Sequence, residues 1–261
     1  MALAPIIAGV VGVLVGSLLN RLIVREPGYV ITDPGDLPDD ADESLLDELE
    51  EVPELAAVPV VALARPSSWW RRWFPATELV TAGVFALTAH RIGTGAELYA
   101  VLFLAAALVT LSAIDLRVYR IPDRVNFPAM GVGLASIAVV AVIQDEPGAL
   151  VGALAGGLSY ATVLFLAHIA YPRGMGFGDV KLAWLMGFYL GWRGWMDGSL
   201  LEQLLSALQY VLLGAAIGSF VGVVIGGGYA LIRRSARVVF PYGPSLAIGC
   251  LIVLLWSDQL T

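Results

Sequence analysis

Cysteine and histidine are almost missing from this chain. One cysteine, Cys250, and two histidines, His90 and His168, exclude an intrachain disulfide framework, a multi-cysteine zinc site and a histidine cage. Charge is scarce too: 14% of the 261 residues are charged against 58% apolar, a composition that points to lipid rather than to an ordinary soluble surface. The formal net charge is −7, and no stretch gathers the lysines and arginines that phosphate binding needs, which argues against nucleic acid as a partner.

The acid present is concentrated in one place. Twelve of the 22 acidic residues lie between Glu26 and Glu54, among Pro27, Pro34, Pro38 and Pro53, and this segment is expected to be polar and mobile. The remainder reads as eight apolar runs: Ala4–Leu19, Thr77–Thr88, Glu97–Ile114, Val125–Ile143, Gly148–Tyr171, Asp179–Trp192, Tyr210–Ile232 and Ser245–Trp256. Such a series is an all-α, polytopic membrane protein of about eight transmembrane helices. The second, sixth and eighth runs are shorter than the ~20 residues of a perpendicular span.

Eight alternating spans divide the basic residues unequally. Arg91 and Arg193 fall on one side and the other thirteen on the opposite side, which makes the latter cytoplasmic and puts both termini outside. The first run has two basic residues soon after it and none before, so it reads as a retained anchor and not a cleaved signal peptide. The organisation expected is an N-terminal transmembrane helix over 1–20, a cytoplasmic acidic insertion over 21–76 and a membrane-embedded domain over 77–261. The Trp69-Trp70-Arg71-Arg72-Trp73 cluster reads as an interfacial anchor. Glycines at Gly148, Gly152 and Gly156, and at Gly214, Gly218, Gly222 and Gly226, have the spacing that lets helix backbones touch in lipid.

Ionisable groups at membrane depth are costly and therefore candidates for function. Glu78, Glu97, Asp123 and Glu202 fall at helix ends or in loops, where a solvated or capping carboxylate is expected, and His168 reads as a packed or hydrogen-bonded side chain. Asp115 and Asp179 stand apart. Asp115 ends a run that travels inward and Asp179 opens one that travels outward, so both lie near the cytoplasmic boundary although 64 residues separate them. Two carboxyls that meet at a sheltered depth suit aspartic proteolysis, because close like charges cannot both ionise: one keeps a proton while the other activates water. Helix-end dipoles favour Asp179 as the base and Asp115 as the acid. Gly174, Gly176 and Gly178 permit positive φ and close approach of a substrate strand. The plainer alternatives are a helix cap for Asp179 and an ion pair with Arg117 or Arg120 for Asp115. A small ion- or proton-coupled transporter using the two aspartates is the alternative function.

Gly176-Phe177-Gly178-Asp179 resembles the GxGD signature of the prepilin peptidases, membrane aspartic proteases that remove the leader of type IV pilins and pseudopilins. Asp115-Leu116-Arg117 followed by Ile121-Pro122-Asp123 is similar to the family's first catalytic segment. Gly16-Ser17-Leu18-Leu19-Asn20 resembles its N-terminal motif, and Pro241-Tyr242-Gly243-Pro244 the turn before its last helix. The resemblance implies Asp115 and Asp179 as the catalytic pair, with Gly174, Gly176, Gly178 and Lys181 as the supporting loop. It implies a prepilin or pseudopilin substrate with a basic leader and a hydrophobic helix, and a cell-membrane location; the acidic insertion reads first as a solvated linker in place of the zinc loop, with electrostatic attraction of the leader as the alternative. Proteolysis of this type needs no cofactor. Many members also methylate the new N-terminus with S-adenosylmethionine and carry two Cys-x-x-Cys pairs that bind zinc. The Gly28–Pro75 region holds no cysteine, so no metal is expected there, and S-adenosylmethionine enters only if methyl transfer is retained.

Overall fold

Each apolar run folds as a helix in the computed structural model, which describes residues 3–25, 74–170, 176–195, 198–233 and 241–259. The acidic segment, the tryptophan–arginine cluster before Phe74 and Gly174 lie outside the described residues. The helices are α1 (Leu3–Arg25), α2 (Phe74–Ile92), α3 (Ala96–Val118), α4 (Asp123–Ile143), α5 (Ala149–Ala170), α6 (Phe177–Arg193), α7 (Leu200–Arg233) and α8 (Gly243–Leu255). A short 3-10 turn follows at Ser257–Gln259.

Among the described residues, five helices, α1, α3, α4, α5 and α7, are long and apolar enough to cross a membrane. The other three are the short runs, and α6 shows why its sequence is less apolar. Twelve of its 17 residues are buried, because it packs against α4, α5, α7 and α8, and a helix enclosed by other helices needs no lipid-facing stripe. The outer faces carry the opposite signature: Val142, Phe220, Val223 and Leu231 are apolar side chains 70–80% exposed, as a lipid-covered surface requires.

Glycine sets the closest helix contacts. A methyl built on Gly156 of α5 would lie 2.5 Å from the Cα of Gly191 of α6, and one on Gly187 would lie 2.7 Å from the Cα of Gly157. Gly218 of α7 meets the Leu246 backbone of α8 in the same way. These pairs can be this tight only without side chains, which is how packing replaces the hydrophobic effect between membrane helices. Buried threonines at Thr81, Thr88 and Thr110 donate to the carbonyl four residues back, at 2.7, 2.8 and 2.8 Å, so their hydroxyls are satisfied without a partner helix.

The two ends of the bundle are distinct. At one end Arg193 closing α6 reaches Glu97 opening α3 at 3.0 Å, and Arg91 closing α2 lies 4.2 Å from the ring centre of Trp256. α3 and α6 are therefore antiparallel, and the end of α3 and the start of α6 share the opposite end. Two helices overrun their apolar runs by more than four residues at one end. α1 continues to Arg25, past the boundary expected at residue 20. α7 begins at Leu200, ten residues before Tyr210, because Ser199 and Glu202 form a capping box: Ser199 donates to Glu202 Oε2 through both its N–H and its Oγ, each at 2.8 Å, and Glu202 N–H donates back to Ser199 Oγ.

Candidate active site

Asp115 occupies the last turn of α3. The helix stops at Tyr119, which takes the left-handed conformation (φ 51°) and donates its N–H to the Asp115 carbonyl at 2.8 Å, the usual single-bond ending, though here without the glycine that would adopt it freely. Burial leaves the Asp115 side chain only 5% exposed. Its Oδ2 accepts a hydrogen bond from the backbone N–H of Gly243, the first residue of α8, at 3.0 Å.

Asp179 is 6% exposed and sits in the first turn of α6. Gly176 is the N-cap residue: the Asp179 N–H bonds back to its carbonyl at 3.1 Å, and the Asp179 carboxyl accepts from the Gly176 N–H in return, so the buried side chain also helps to start the helix. The carboxyl lies within electrostatic reach of Asp115. The linker between α3 and α4 brings the two together: Ile121, itself buried, is the nearest neighbour of Gly178, where an added methyl would lie 3.2 Å from its Cβ, and it also touches Gly243, where an added methyl would lie 3.4 Å from its Cδ1. Ile121 thus wedges between the residue preceding Asp179 and the residue that holds Asp115.

The glycines work differently from the expectation of positive φ. Gly176 has φ −69°, and among the described residues the positive-φ glycines are Gly93 and Gly198. Gly178 is small because Ile121 presses on it, not because its backbone is left-handed. Lys181 does not reach toward Asp179 but clamps Asp123 at the start of α4, with both carboxylate oxygens 2.7 Å from Nζ. This pair ties α4 to α6 and fixes the short linker carrying Ile121. Asp123 is thus half-exposed, a solvated carboxylate that is also ion-paired. Arg117 donates to the Ile23 carbonyl of α1 at 2.7 Å, and His168 packs against Phe177 with ring centres 5.7 Å apart.

Residues 102–231 match the type IV leader peptidase family. The chain belongs to that family. It is 34% identical over 194 residues to the prepilin leader peptidase/N-methyltransferase of Aeromonas salmonicida (strain A449), an alignment that covers 72% of this chain and 60% of the relative. The protein of the same name from Pseudomonas aeruginosa is 32% identical over 191 residues, with the same coverage. The Xanthomonas campestris pv. campestris protein of that name is 29% identical over 290 residues, covering 98% of this chain and 92% of the relative. The chain spans 60% of the length of the Aeromonas relative. No solved structure matches the chain. Family membership leaves the transporter alternative without support.

Three site features of this family member were not legible as such in its sequence. Gly243 belongs to the turn motif and Ile121 to the segment similar to the family's first catalytic one, and neither had an assigned partner. Glu78, read as solvated or capping, is 8% exposed. Only the last had a signal: Gly16 and Asn20 at spacing four on α1 mark the face against which it packs.

Proposed function

We propose that this chain is a membrane aspartic endopeptidase that removes the leader of type IV prepilins or pseudopilins at the cytoplasmic membrane face, with Asp115 and Asp179 as the catalytic pair. The observation that carries the reading is the convergence of two buried aspartates from the end of α3 and the start of α6 at one end of the bundle. They share one proton, because two carboxylates cannot both remain ionised at close range in a desolvated site. The ionised member takes a proton from water as its oxygen adds to the scissile carbonyl, and the other donates to the carbonyl oxygen. Collapse breaks the C–N bond and the nitrogen leaves with a proton. The helix-end field and the Gly243 N–H act on Asp115 in opposite senses, so the pair is treated as one unit with one mobile proton.

Lys181 and Gly178 serve the reading indirectly, by holding the Ile121 linker. The substrate partner is a prepilin or pseudopilin whose basic leader faces the cytoplasm and whose hydrophobic helix lies in the bilayer, and residues 77–261 are the peptidase domain to which the N-terminal helix is added. The relatives' name includes N-methyltransferase. Among the described residues, the cavity lined by Asn20, Thr77, Ser112, Arg117 and Pro244 has no Asp or Glu in its lining, and no methyl-transfer step is drawn.

The test is cleavage of a prepilin-like substrate by the purified chain in vesicles, with Asp115→Asn and Asp179→Asn in parallel and mass spectrometry of the products. Loss of cleavage in both folded variants supports the pair; cleavage that survives in either one rejects it.

A further inference from the structure

One charged side chain lies in the wall of an otherwise largely apolar cavity. The cavity measures about 460 Å³ and is enclosed by α1, α2, α3 and α8, and Arg117 is the one ionisable residue of its lining. Arg117 is 6% exposed, and its Nη1 donates to the Ile23 carbonyl at 2.7 Å, which fixes the guanidinium where α3 meets α1. Glu78 accepts a long bond from the lining residue Asn20 but is not itself part of the lining. The charge presented to the cavity is therefore positive.

The polarity of the wall is graded along the helices. Arg117 in the last turn of α3, Asn20 near the end of α1 and Thr77 in the first turn of α2 all lie at the end of the bundle that holds Asp115. Toward the middle of the bundle the lining is Val84, Leu108 and Leu251. From Arg117 to Leu108 is about 13 Å along α3. Val80, Leu116 and Ile248 of the lining are half-exposed apolar side chains, so the mouth opens sideways, onto the surface that lipid covers. A guanidinium in such a low-dielectric wall attracts an anion more strongly than one in water, and its planar fork matches phosphate.

We propose that this cavity binds one anionic phospholipid, with the headgroup phosphate on Arg117 and an acyl chain laid along Val84, Leu108 and Leu251. Charge complementarity selects the headgroup, the graded wall sets its direction, and the sideways mouth admits it from the bilayer. A zwitterionic lipid offers the same chain, but its own cation offsets the phosphate charge, so the site prefers net negative charge. The lipid takes no part in the chemistry of the aspartates, and the site stands whether or not the chain cleaves prepilins.

The experiment is native mass spectrometry of the full chain in detergent, titrated with phosphatidylglycerol or with phosphatidylcholine of identical acyl chains. The wild type should retain one phosphatidylglycerol at about one tenth of the concentration needed for phosphatidylcholine, the scale of one charge-assisted hydrogen bond. Arg117→Gln should abolish that preference. Arg124→Gln removes an exposed positive charge at the same end of the bundle but outside the cavity, and should leave the preference intact; this separates a site from general attraction to the surface. Val80→Trp, at the mouth, should weaken both lipids alike. Glycerol phosphate, which has the phosphate without the chains, should not displace the lipid. Equal retention of the two lipids by the wild type, or a preference that survives Arg117→Gln or falls as far with Arg124→Gln, would overturn the proposal. So would unchanged binding in Val80→Trp, or displacement by glycerol phosphate. The wild-type comparison needs no variant to fold.

Discussion

The backbone N–H of Gly243 donates to Oδ2 of Asp115 at 3.0 Å, joining the first residue of α8 to the last turn of α3 across 128 residues. An apolar wedge, Ile121, completes the arrangement by touching both Gly243 and Gly178. Asp115 is thus positioned from outside its own helix, and the position depends on residues that carry no chemistry.

Gly243→Ala tests that dependence. The added methyl would lie 2.7 Å from Asp115 Oδ2, so the carboxyl must shift by several tenths of an ångström. Cleavage should fall roughly 10- to 100-fold, since displacement of this order at a reacting group costs up to about 10²-fold. Thermal stability should change little by comparison. Initial rates at saturating substrate, alongside the melting temperature, check both. An alanine variant with full activity would mean that Asp115 is held by α3 alone.

The Lys181–Asp123 ion pair is half-exposed on the Asp123 side, so a double-mutant cycle of Lys181→Ala and Asp123→Ala should give a small coupling, about 0.2–1 kcal/mol. Cleavage should be hit harder than stability, because the pair anchors the Ile121 linker between the two aspartates. Either single alanine should lower the cleavage rate by about as much as the double variant does. Additive rate losses would indicate separate roles.

Which parts of this arrangement the sequence carries follows from the range of the interactions. Alternation of the apolar runs alone put Asp115 and Asp179 at one end, and Arg193–Glu97 contact at the other end agrees with it. Hydropathy passed over the first ten residues of α7, where Glu202, Gln203 and Gln209 dilute the apolar signal, although Ser199 and Glu202 at capping-box spacing mark the start. The GxGD glycines could not be sorted into left-handed turns and close contacts, because Gly178 is constrained by Ile121, 57 residues away in the chain. Glu78 defeated local reasoning for the same reason: it is buried by Gly16 and Asn20 of another helix.

Ser199→Ala should fray the start of α7. The substitution removes the side-chain half of the capping box, so hydrogen exchange at Leu201, Glu202 and Gln203 should accelerate several-fold. Cleavage should not change, because this turn follows the end of α6 that lies opposite the aspartates. Altered cleavage would mean that the two ends of the bundle are coupled.

The α5–α6 contact gives the sharpest contrast between two glycines. At Gly156 a methyl meets the Gly191 Cα at 2.5 Å and the Gly187 carbonyl even closer, while at Gly83 of α2 nothing lies within 4 Å. Gly156→Ala must push two backbones apart, and should cost about 1–3 kcal/mol, whereas Gly83→Ala should gain about 0.5–1 kcal/mol from reduced backbone freedom. Because α6 carries Asp179, the Gly156 variant should lose cleavage along with stability, and the Gly83 variant should keep it. Unfolding in a denaturing detergent series, with cleavage measured at each point, distinguishes the two. Equal shifts for both glycines would show that close backbone approach does not hold α5 against α6, and that their contact rests on the flanking side chains Phe188 and Trp184.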